Sequence, residues 1–303
     1  MRQWCLRTGV LFTCLICSVI ASTAAATEVI RYPAPAGERD LRDLYLVELL
    51  RLALDKTLAS HGPYQMEPAA EPLSQSRALA ELASGRALDV VWAMTSIERE
   101  QRARPVRIPL RKGLLGYRLL IIRTEDSDWF DSVISLDQLR EVRAGQGHDW
   151  PDSDILIANG LHVLRASSYD SLFLMLEQGR FDYLPRGLTE IWAEIDQRPE
   201  MAITVAPALL LYYPTASYFF VAPDNTALAE RLTQGLEAAL KDGSFDRLFF
   251  EFPQHREALE RTQAHGRRVL ILENPLLPPQ TPLHRPELWY RPETDTTARQ
   301  PGR

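Results

Sequence analysis

The chain has 303 residues, 46% of them hydrophobic, a formal net charge of −6 at neutral pH and only three cysteines. This length and hydrophobic content suffice for one large or two ordinary globular domains. The negative charge argues against a nucleic acid or an anionic membrane surface as the partner.

The first 26 residues have the pattern of a cleavable secretory signal. Arg2 and Arg7 form a basic start, an apolar run follows, and three alanines end the segment. We therefore expect residues 1–26 to be a signal peptide and the protein to be periplasmic. All three cysteines lie in this segment, so the exported chain would contain no disulfide and no cysteine metal site. The alternatives are a retained membrane anchor and a lipoprotein, which is disfavoured because the bulky Ile16 precedes Cys17.

Short apolar strands alternate with amphipathic helices in the next part of the chain. We predict strands over residues 27–32, 64–68 and 88–94, and helices over residues 40–60 and 74–84. This order predicts a mostly parallel sheet flanked by helices, and ligands of such sheets bind beyond the carboxyl ends of the strands. Tyr32 and Met94 come at such ends, so we expect both to face one cleft.

A hydroxyl group and an arginine follow the third strand. Ser96 is a suitable helix N-cap, and Arg99 lies one turn further along the predicted helix. A guanidinium beside the N–H groups of a helix start can bind both oxygens of a carboxylate. The pair is therefore a candidate anion site. The structural alternative is an ordinary cap beside a surface arginine.

The segment SGRALDVVWAMTSIEREQ, residues 84–101, resembles the "sGevDvi-gmT-T-eR" segment of family 3 bacterial extracellular solute-binding proteins. These are periplasmic receptors, typified by those that serve ABC importers of polar amino acids. In that family a Ser or Thr and an Arg three residues later hold the α-carboxylate of the ligand. The resemblance implies this role for Ser96 and Arg99.

The same alternation of strands and helices continues after residue 115. We predict strands over residues 117–122, 141–144, 161–165, 181–184, 201–205 and 218–221, and helices over residues 135–139, 153–159, 170–178, 188–195 and 225–241. The stretch GRFDYLPRG, residues 179–187, is similar to "G-vDavl-D" in the second lobe of that family, and DGSFDRLFFEF, residues 242–252, is similar to its closing "dGt-d-iy-kw".

The resemblance implies a two-lobed α/β periplasmic binding protein-like fold (type II). Each lobe would be a mostly parallel sheet flanked by helices, and two crossing strands would join the lobes. We predict that residues 27–114 and 220–273 form lobe 1 and that residues 115–219 form lobe 2. Residues 274–303 form a proline-rich C-terminal extension, which we expect to run extended over the surface and to end in about ten disordered residues.

A glycine-rich stretch, Gly145 to Asp149, is the second candidate site. It is neither a dinucleotide-binding fingerprint, because Trp150 stands where the third glycine belongs, nor a P-loop. A turn at Gly147 could still present free N–H groups to an anionic part of the ligand. His148 and Asp149 could add a hydrogen bond or bind a protonated amine. The structural alternative is a glycine turn needed only for its backbone shape.

Arg186 marks a departure from the family pattern. Amino-acid receptors of this family place an aspartate near the end of the strand that contains Asp182, where it holds the ammonium group of the ligand. Counting from Asp182, that position is Gly187, next to Arg186, so Asp149 and Glu190 are the candidates to replace it. An arginine here favours a ligand with two acidic groups or a polar neutral one. The alternative is that Arg186 is a surface residue at a helix start.

We expect a solute-binding protein that captures a small polar or anionic ligand between its lobes and delivers it to an ABC-type membrane permease. No nucleophile elbow or histidine metal motif is present, so we expect no catalytic residue, metal or cofactor. The partners would be the ligand and the permease or a membrane sensor, with no nucleic acid, and the protein would be a monomer. The alternatives are a ligand-sensing protein, an accessory protein with a degenerate cleft, and an enzyme, for which His148, Asp149 and Glu190 are the only acid or base candidates.

Overall fold

The computed structural model describes residues 27–35, 43–262 and 266–291. The predicted signal peptide, the start of the first predicted helix and the end of the extension lie outside these ranges. Among the residues described, no helix has both the length and the apolar character that a bilayer crossing requires.

The strands are short, as the sequence predicts, and alternate with helices along most of the chain. The strands are β1 (Glu28–Tyr32), β2 (Tyr64–Pro68), β3 (Val91–Met94), β4 (Arg104–Val106), β5 (Tyr117–Arg123), β6 (Arg143–Gly147), β7 (His162–Ala166), β8 (Tyr183–Gly187), β9 (Ile203–Val205), β10 (Leu209–Tyr212), β11 (Ser217–Val221) and β12 (Arg268–Ile271). The helices are α1 (Leu44–Asp55), α2 (Leu58–His61), α3 (Gln75–Ser84), α4 (Ile97–Arg102), α5 (Ser127–Ser132), α6 (Leu136–Leu139), α7 (Pro151–Ala158), α8 (Tyr169–Glu177), α9 (Ile191–Asp196), α10 (Thr226–Lys241), α11 (Ser244–Glu251) and α12 (Pro253–Thr262).

Lobe 1 is built on two groups of paired strands. β1 and β2 are parallel, and β11 pairs antiparallel with both β3 and β4. The two groups are continuous, because the backbone oxygen of Arg31 accepts hydrogen bonds from the N–H groups of Asp89 (2.9 Å) and Val90 (3.2 Å), just before β3. The order across the lobe is therefore β2-β1-β3-β11-β4.

Lobe 2 is built on one larger sheet in the order β12-β10-β5-β8-β6-β7, with β9 also paired to β5. β6 runs parallel to β7 and β8, and β10 runs parallel to β12, whereas β5 is antiparallel to β8, β9 and β10. The two-lobed α/β class expected from the sequence is confirmed. The antiparallel strands include β5, with which the chain enters lobe 2, and β11, with which it returns to lobe 1.

Strand pairing corrects two of the predicted lobe boundaries. β12 pairs with β10 in the lobe 2 sheet, whereas the sequence predicts residues 220–273 in lobe 1. Leu270 of β12 packs in the same apolar cluster as Leu211 of β10. Burial of this side chain is the physical reason for placing β12 in lobe 2. At the other boundary Ser217 already pairs with Met94 of β3, so the lobe 1 strand begins at residue 217.

The core of lobe 1 forms where α1 and α10 cross. Leu46, Leu49 and Leu50 of α1 are buried in this core, as the helical spacing of the leucines requires. The helices approach so closely that a Cβ atom on Gly235 of α10 would lie 2.0 Å from the backbone oxygen of Ala53. Gly235 is therefore needed for the contact.

A histidine is buried in the same core. His255 is 2% exposed, its ring centroid lies 4.2 Å from that of Tyr45 and 4.7 Å from that of Phe249, and its Nδ1 donates to the backbone oxygen of Phe249 at 3.1 Å. Burial, and secondarily the positive charge of Arg111, lower the pKa of His255 to about 3. The folded protein therefore holds this ring neutral at pH values where an unfolded chain would protonate it.

We predict that acid destabilises the fold through His255. Because its pKa is lower in the folded state, the unfolded chain binds more protons between about pH 6.5 and pH 3, and stability falls across this window by at most about 1.4 kcal/mol per pH unit. His255→Phe should reduce this slope in urea unfolding measured at several pH values. The exposed His61→Phe is the control, and an unchanged slope in His255→Phe would contradict the prediction.

Candidate functional site

A cavity of about 420 Å³ lies between the two lobes. Its walls include Trp92, Met94 and Ser217 from lobe 1, and the segment 147–152 and Tyr169 from lobe 2. Several of these residues lie at the carboxyl ends of β3, β6 and β7, where α/β sheets bind ligands. The volume falls in the range of small-molecule sites. This cavity is called the cleft below.

Two buried arginines on neighbouring strands line the cleft. Arg118 is on β5 and Arg186 is on β8, and in this antiparallel pair Arg118 faces Gly187. Arg118 is 2% exposed and Arg186 is 6% exposed. Neighbouring buried cations of this kind are stable only with carboxylate partners.

Arg186 has two such partners. Its Nε and Nη2 donate to the two carboxylate oxygens of Glu194 at 2.7 and 2.6 Å, and its Nη2 lies 3.1 Å from Oε2 of Glu190. Its guanidinium carbon lies 4.6 Å from the ring centroid of Trp150 and 5.8 Å from that of Tyr169. Burial opposes the charged form, but the carboxylates of Glu194 and Glu190 outweigh it and raise the pKa of Arg186 well above its usual value.

Arg118 is held by a second carboxylate and a tyrosine. Its Nη2 lies 2.6 Å from Oδ1 of Asp152, and its Nε donates to the hydroxyl oxygen of Tyr213 at 2.9 Å. The Tyr213 hydroxyl in turn donates to Asp152. Burial works against the charge on Arg118, but Asp152 outweighs it and the pKa of Arg118 is raised. The group is therefore a fixed cation at the working pH.

The carboxylate of Glu190 lies beside Gly187, the position at which the family pattern predicts an aspartate. A Cβ atom on Gly187 would lie 2.9 Å from Oε2 of Glu190 and 3.2 Å from its Cδ. The carboxylate of Glu190 therefore fills the space beside Gly187, from three residues further along the chain. Arg111 approaches Oε1 of Glu190 at 3.8 Å and Arg118 approaches Oε2 at 4.0 Å.

Ser96 and Arg99 are both bonded to groups of the protein itself. The Ser96 hydroxyl accepts from the N–H of Arg99 at 3.2 Å as an N-cap, and the Arg99 guanidinium donates to the backbone oxygens of Met94 and Asp149, both at 2.9 Å. Arg99 is 7% exposed, and burial lowers its pKa despite the opposing charge of Asp149. Both residues line a neighbouring cavity of about 390 Å³, on the other side of the segment 148–151 from the cleft.

The predicted glycine turn is largely part of β6. A Cβ atom on Gly145 would lie 2.2 Å from the Phe181 ring, and one on Gly147 would lie 2.6 Å from the Trp150 ring, so packing requires both glycines. The N–H of His148 donates to the backbone oxygen of Ala166 at 2.9 Å. The N–H group of His148 therefore already has a hydrogen-bond partner within the protein.

Asp149 makes a direct contact between the lobes. Its Oδ2 accepts from the N–H of Ser76, in the first turn of α3, at 3.1 Å, and its backbone oxygen accepts from Arg99. Both donors belong to lobe 1, whereas Asp149 belongs to lobe 2. Asp149 therefore links lobe 2 to α3 and α4 of lobe 1.

The remaining predicted positions divide between the two cavities. Met94, Gly147, His148, Asp149 and Arg186 line the cleft, and His148 and Asp149 also border the neighbouring cavity. Tyr32 packs on Trp92 with ring centroids 6.0 Å apart, and it is Trp92 that lines the cleft. Among the described residues no cluster of three possible metal ligands occurs.

Several residues that line the cleft are not among the predicted site residues. They are Gln75, Arg111, Arg118, Asp152, Tyr169 and Ser217. Arg118 carried a usable signal, because an arginine inside the apolar strand YRLLIIR requires a buried partner or a functional role. Arg111 and Asp152 carried none, since each lies among other charged residues of ordinary surface pattern.

No protein-family model matches the chain, and no curated protein matches its sequence. Solved structures do match its fold. An ancestral arginine-binding protein bound to arginine is 18% identical, with a TM-score of 0.57, over 74% of this chain and 98% of that one. A histidine kinase sensor domain with similarity to periplasmic binding proteins is 16% identical, with a TM-score of 0.54, over 76% and 97%. An ancestral amino-acid-binding protein, a precursor of cyclohexadienyl dehydratase, is 13% identical, with a TM-score of 0.54, over 74% and 94%.

The fold is therefore that of the periplasmic binding proteins. The resemblance found in the sequence to the solute-binding proteins of this kind is confirmed at the level of the fold. The matched regions cover about three quarters of this chain and nearly the whole of the matched structures.

We predict that Glu194 is essential for the floor of the cleft. Glu194→Gln leaves Arg186 without its bidentate partner and should lower the free energy of unfolding by about 3–5 kcal/mol. The double variant Arg186→Met, Glu194→Leu removes both charges and should recover most of this loss. Urea unfolding measures both, with the exposed Glu200→Gln as control. Equal stability of Glu194→Gln and the control would contradict the prediction.

Proposed function

We propose that this protein is a periplasmic solute-binding protein that captures a small polar or carboxylate-bearing ligand in the cleft and delivers it to an ABC-type permease. The observation that carries the proposal is a cavity of about 420 Å³ between two lobes, with buried arginines in its floor. Guanidinium groups bind carboxylates through paired hydrogen bonds. The likeness of the fold to amino-acid-binding proteins supports this role.

The charges of the cleft favour a ligand that carries both signs over a strongly anionic one. Arg118 and Arg186 are balanced by Asp152 and Glu194, so the floor has little excess positive charge. Glu190 adds a carboxylate in the space beside Gly187, the place from which the family pattern holds an ammonium group. We therefore propose that the carboxylate of the ligand faces the arginines and that an amine or another hydrogen-bond donor faces Glu190.

Aromatic rings supply the apolar part of the proposed site. Trp92, Trp150 and Tyr169 line the cleft from both lobes. Such rings bury much ligand surface and fix its orientation, while a few charged groups determine its identity. Arg99, which borders the neighbouring cavity, would then act on the ligand by joining the lobes through the backbone oxygen of Asp149, and Ser96 would act by capping the helix that carries Arg99.

A membrane sensor is the second candidate partner, because the fold is also that of a histidine kinase sensor domain. Catalysis is not part of the proposal. Among the candidate acids and bases, Asp149 accepts a hydrogen bond from Ser76, and Glu190 lies among three arginines. Both carboxylates are therefore already in contact with donor groups of the protein itself.

Ligand binding can be tested by a thermal-shift screen of the exported chain, residues 27–303, against amino acids, dicarboxylates, oligopeptides and small sugars. A ligand at one hundred times its dissociation constant stabilises the protein by about 2.7 kcal/mol, which is a shift of several degrees. We expect the largest shift from a carboxylate-bearing compound.

Two matched variants decide whether the ligand occupies the cleft. Ser167 is exposed and lines the cleft, whereas the neighbouring exposed Ser168 lies outside the lining. Ser167→Trp should fill part of the cleft and weaken binding by at least about tenfold, and Ser168→Trp should bind as the unmodified protein does. An equal effect of both variants would place the ligand elsewhere. No shift from any compound would favour the accessory-protein alternative.

A further inference from the structure

The C-terminal extension runs beside both connections between the lobes. The first connection comprises residues 112–116, between β4 and β5, and the second comprises residues 213–216, between β10 and β11. The extension leaves the lobe 2 sheet at the end of β12 and reaches lobe 1 within a few residues. Residues 273–290 are called the strap below.

The first residues of the strap are bonded to lobe 2. The N–H of Glu273 donates to Oδ1 of Asn159 at 2.9 Å, and Nδ2 of Asn159 donates back to the oxygen of Glu273 at 2.8 Å. Next to this pair, Nδ2 of Asn274 donates to the backbone oxygen of Pro214 at 2.9 Å. Pro214 belongs to the second connection itself.

The rest of the strap is bonded to lobe 1. The backbone oxygen of Leu276 accepts from the N–H of Ile97 in α4 at 2.9 Å. Arg285 makes a bidentate pair with Glu237 of α10 at 2.6 and 3.0 Å. Only two peptide units separate Asn274 from Leu276, a span of at most about 7 Å, so the two anchors cannot move far apart.

The strap also covers the first connection. Lys112 has a positive φ of 47° and is 5% exposed. Its Nζ donates to Oδ1 of Asp246 at 2.7 Å and to the oxygen of Glu287 at 2.8 Å, and its own backbone oxygen accepts from the N–H of Tyr290 at 2.8 Å. The Trp289 ring lies so close to Gly113 that a Cβ atom there would be 2.4 Å from it.

We propose that the strap, residues 273–290, stiffens the joint between the lobes and holds the cleft in a nearly closed arrangement before any ligand binds. Hinge closure requires large φ and ψ changes in a few connecting residues. In the first connection Lys112 and Gly113 are in position to make such changes, and both are bonded to or covered by the strap. In the second connection the strap is bonded to Pro214, whose own φ is fixed by its ring. Opening the lobes must therefore break strap contacts, in addition to the contacts that Asp149 makes with lobe 1.

The test uses the full exported chain without any ligand, so that its outcome is independent of the proposed function. Amide hydrogen exchange is measured at residues 112–117 and 213–217, and the radius of gyration is measured by small-angle X-ray scattering. The strap variants are Asn274→Ala and Trp289→Ala. Leu283→Ala, at a strap position that is 51% exposed, is the control.

Both strap variants should speed exchange in the two connections by about tenfold or more and increase the radius of gyration, while the cores of both lobes stay protected. Trp289→Phe keeps a ring over Gly113 and should restore slow exchange. The proposal is overturned if exchange in the connections is unchanged. It is equally overturned if exchange rises to the same extent throughout both lobes, because the strap would then stabilise the fold in general and not the joint.

Discussion

Two buried arginines, each with its own carboxylate partner, are the main charged groups around the cleft. Arg118 and Arg186 lie on adjacent strands, almost excluded from water, and neither can lose its proton at ordinary pH. Their repulsion and desolvation must be balanced by carboxylates within hydrogen-bond distance. Those carboxylates come from two helices, Asp152 from α7 and Glu194 from α9. These ion pairs therefore connect α7 and α9 to the sheet of lobe 2.

The same requirement explains the glycine at position 187. A side chain there would collide with the carboxylate of Glu190, which reaches Arg186 through that space. Under the proposed function, Glu190 supplies the negative charge that the family pattern takes from an aspartate at position 187. The ring of Trp150 lies against the Arg186 guanidinium. The same ring fills the space next to Gly147, so a side chain at position 147 would collide with it. Charge balance and close packing account together for residues that appear unrelated in the sequence.

The elements that follow a single local pattern could be predicted from the sequence. The predicted bounds of β2 are those observed, and α3 and α10 begin within one residue of their predicted starts at Ser74 and Asn225. Partners distant in the chain could not be predicted. Nothing in the four residues of β12 shows that this strand pairs with β10. Four further elements, β4, β10, α5 and α12, are not predicted, because they are short or continuous with neighbouring charged or apolar runs.

The candidate site shows the same division. The end of β3 from lobe 1, and residues 147–149 and Arg186 from lobe 2, line one cleft, because strand ends of the two sheets meet there. The contacts of Arg99 could not be foreseen, since they depend on how closely lobe 2 approaches lobe 1. The guanidinium of an arginine at this position can donate to a carboxylate, but it can equally donate to two backbone oxygens.

The approach of the lobes connects the charged floor to the strap. Asp149 joins lobe 2 to α3 and to Arg99 on the open side, and residues 273–290 join the lobes on the hinge side. A cleft held from both sides loses little conformational entropy when a ligand enters, which strengthens binding. It also limits entry, so the association rate falls below that of an open cleft. The fixed arginine–carboxylate floor suits this arrangement, because groups already held in place by one another need no rearrangement to meet a ligand of matching charge.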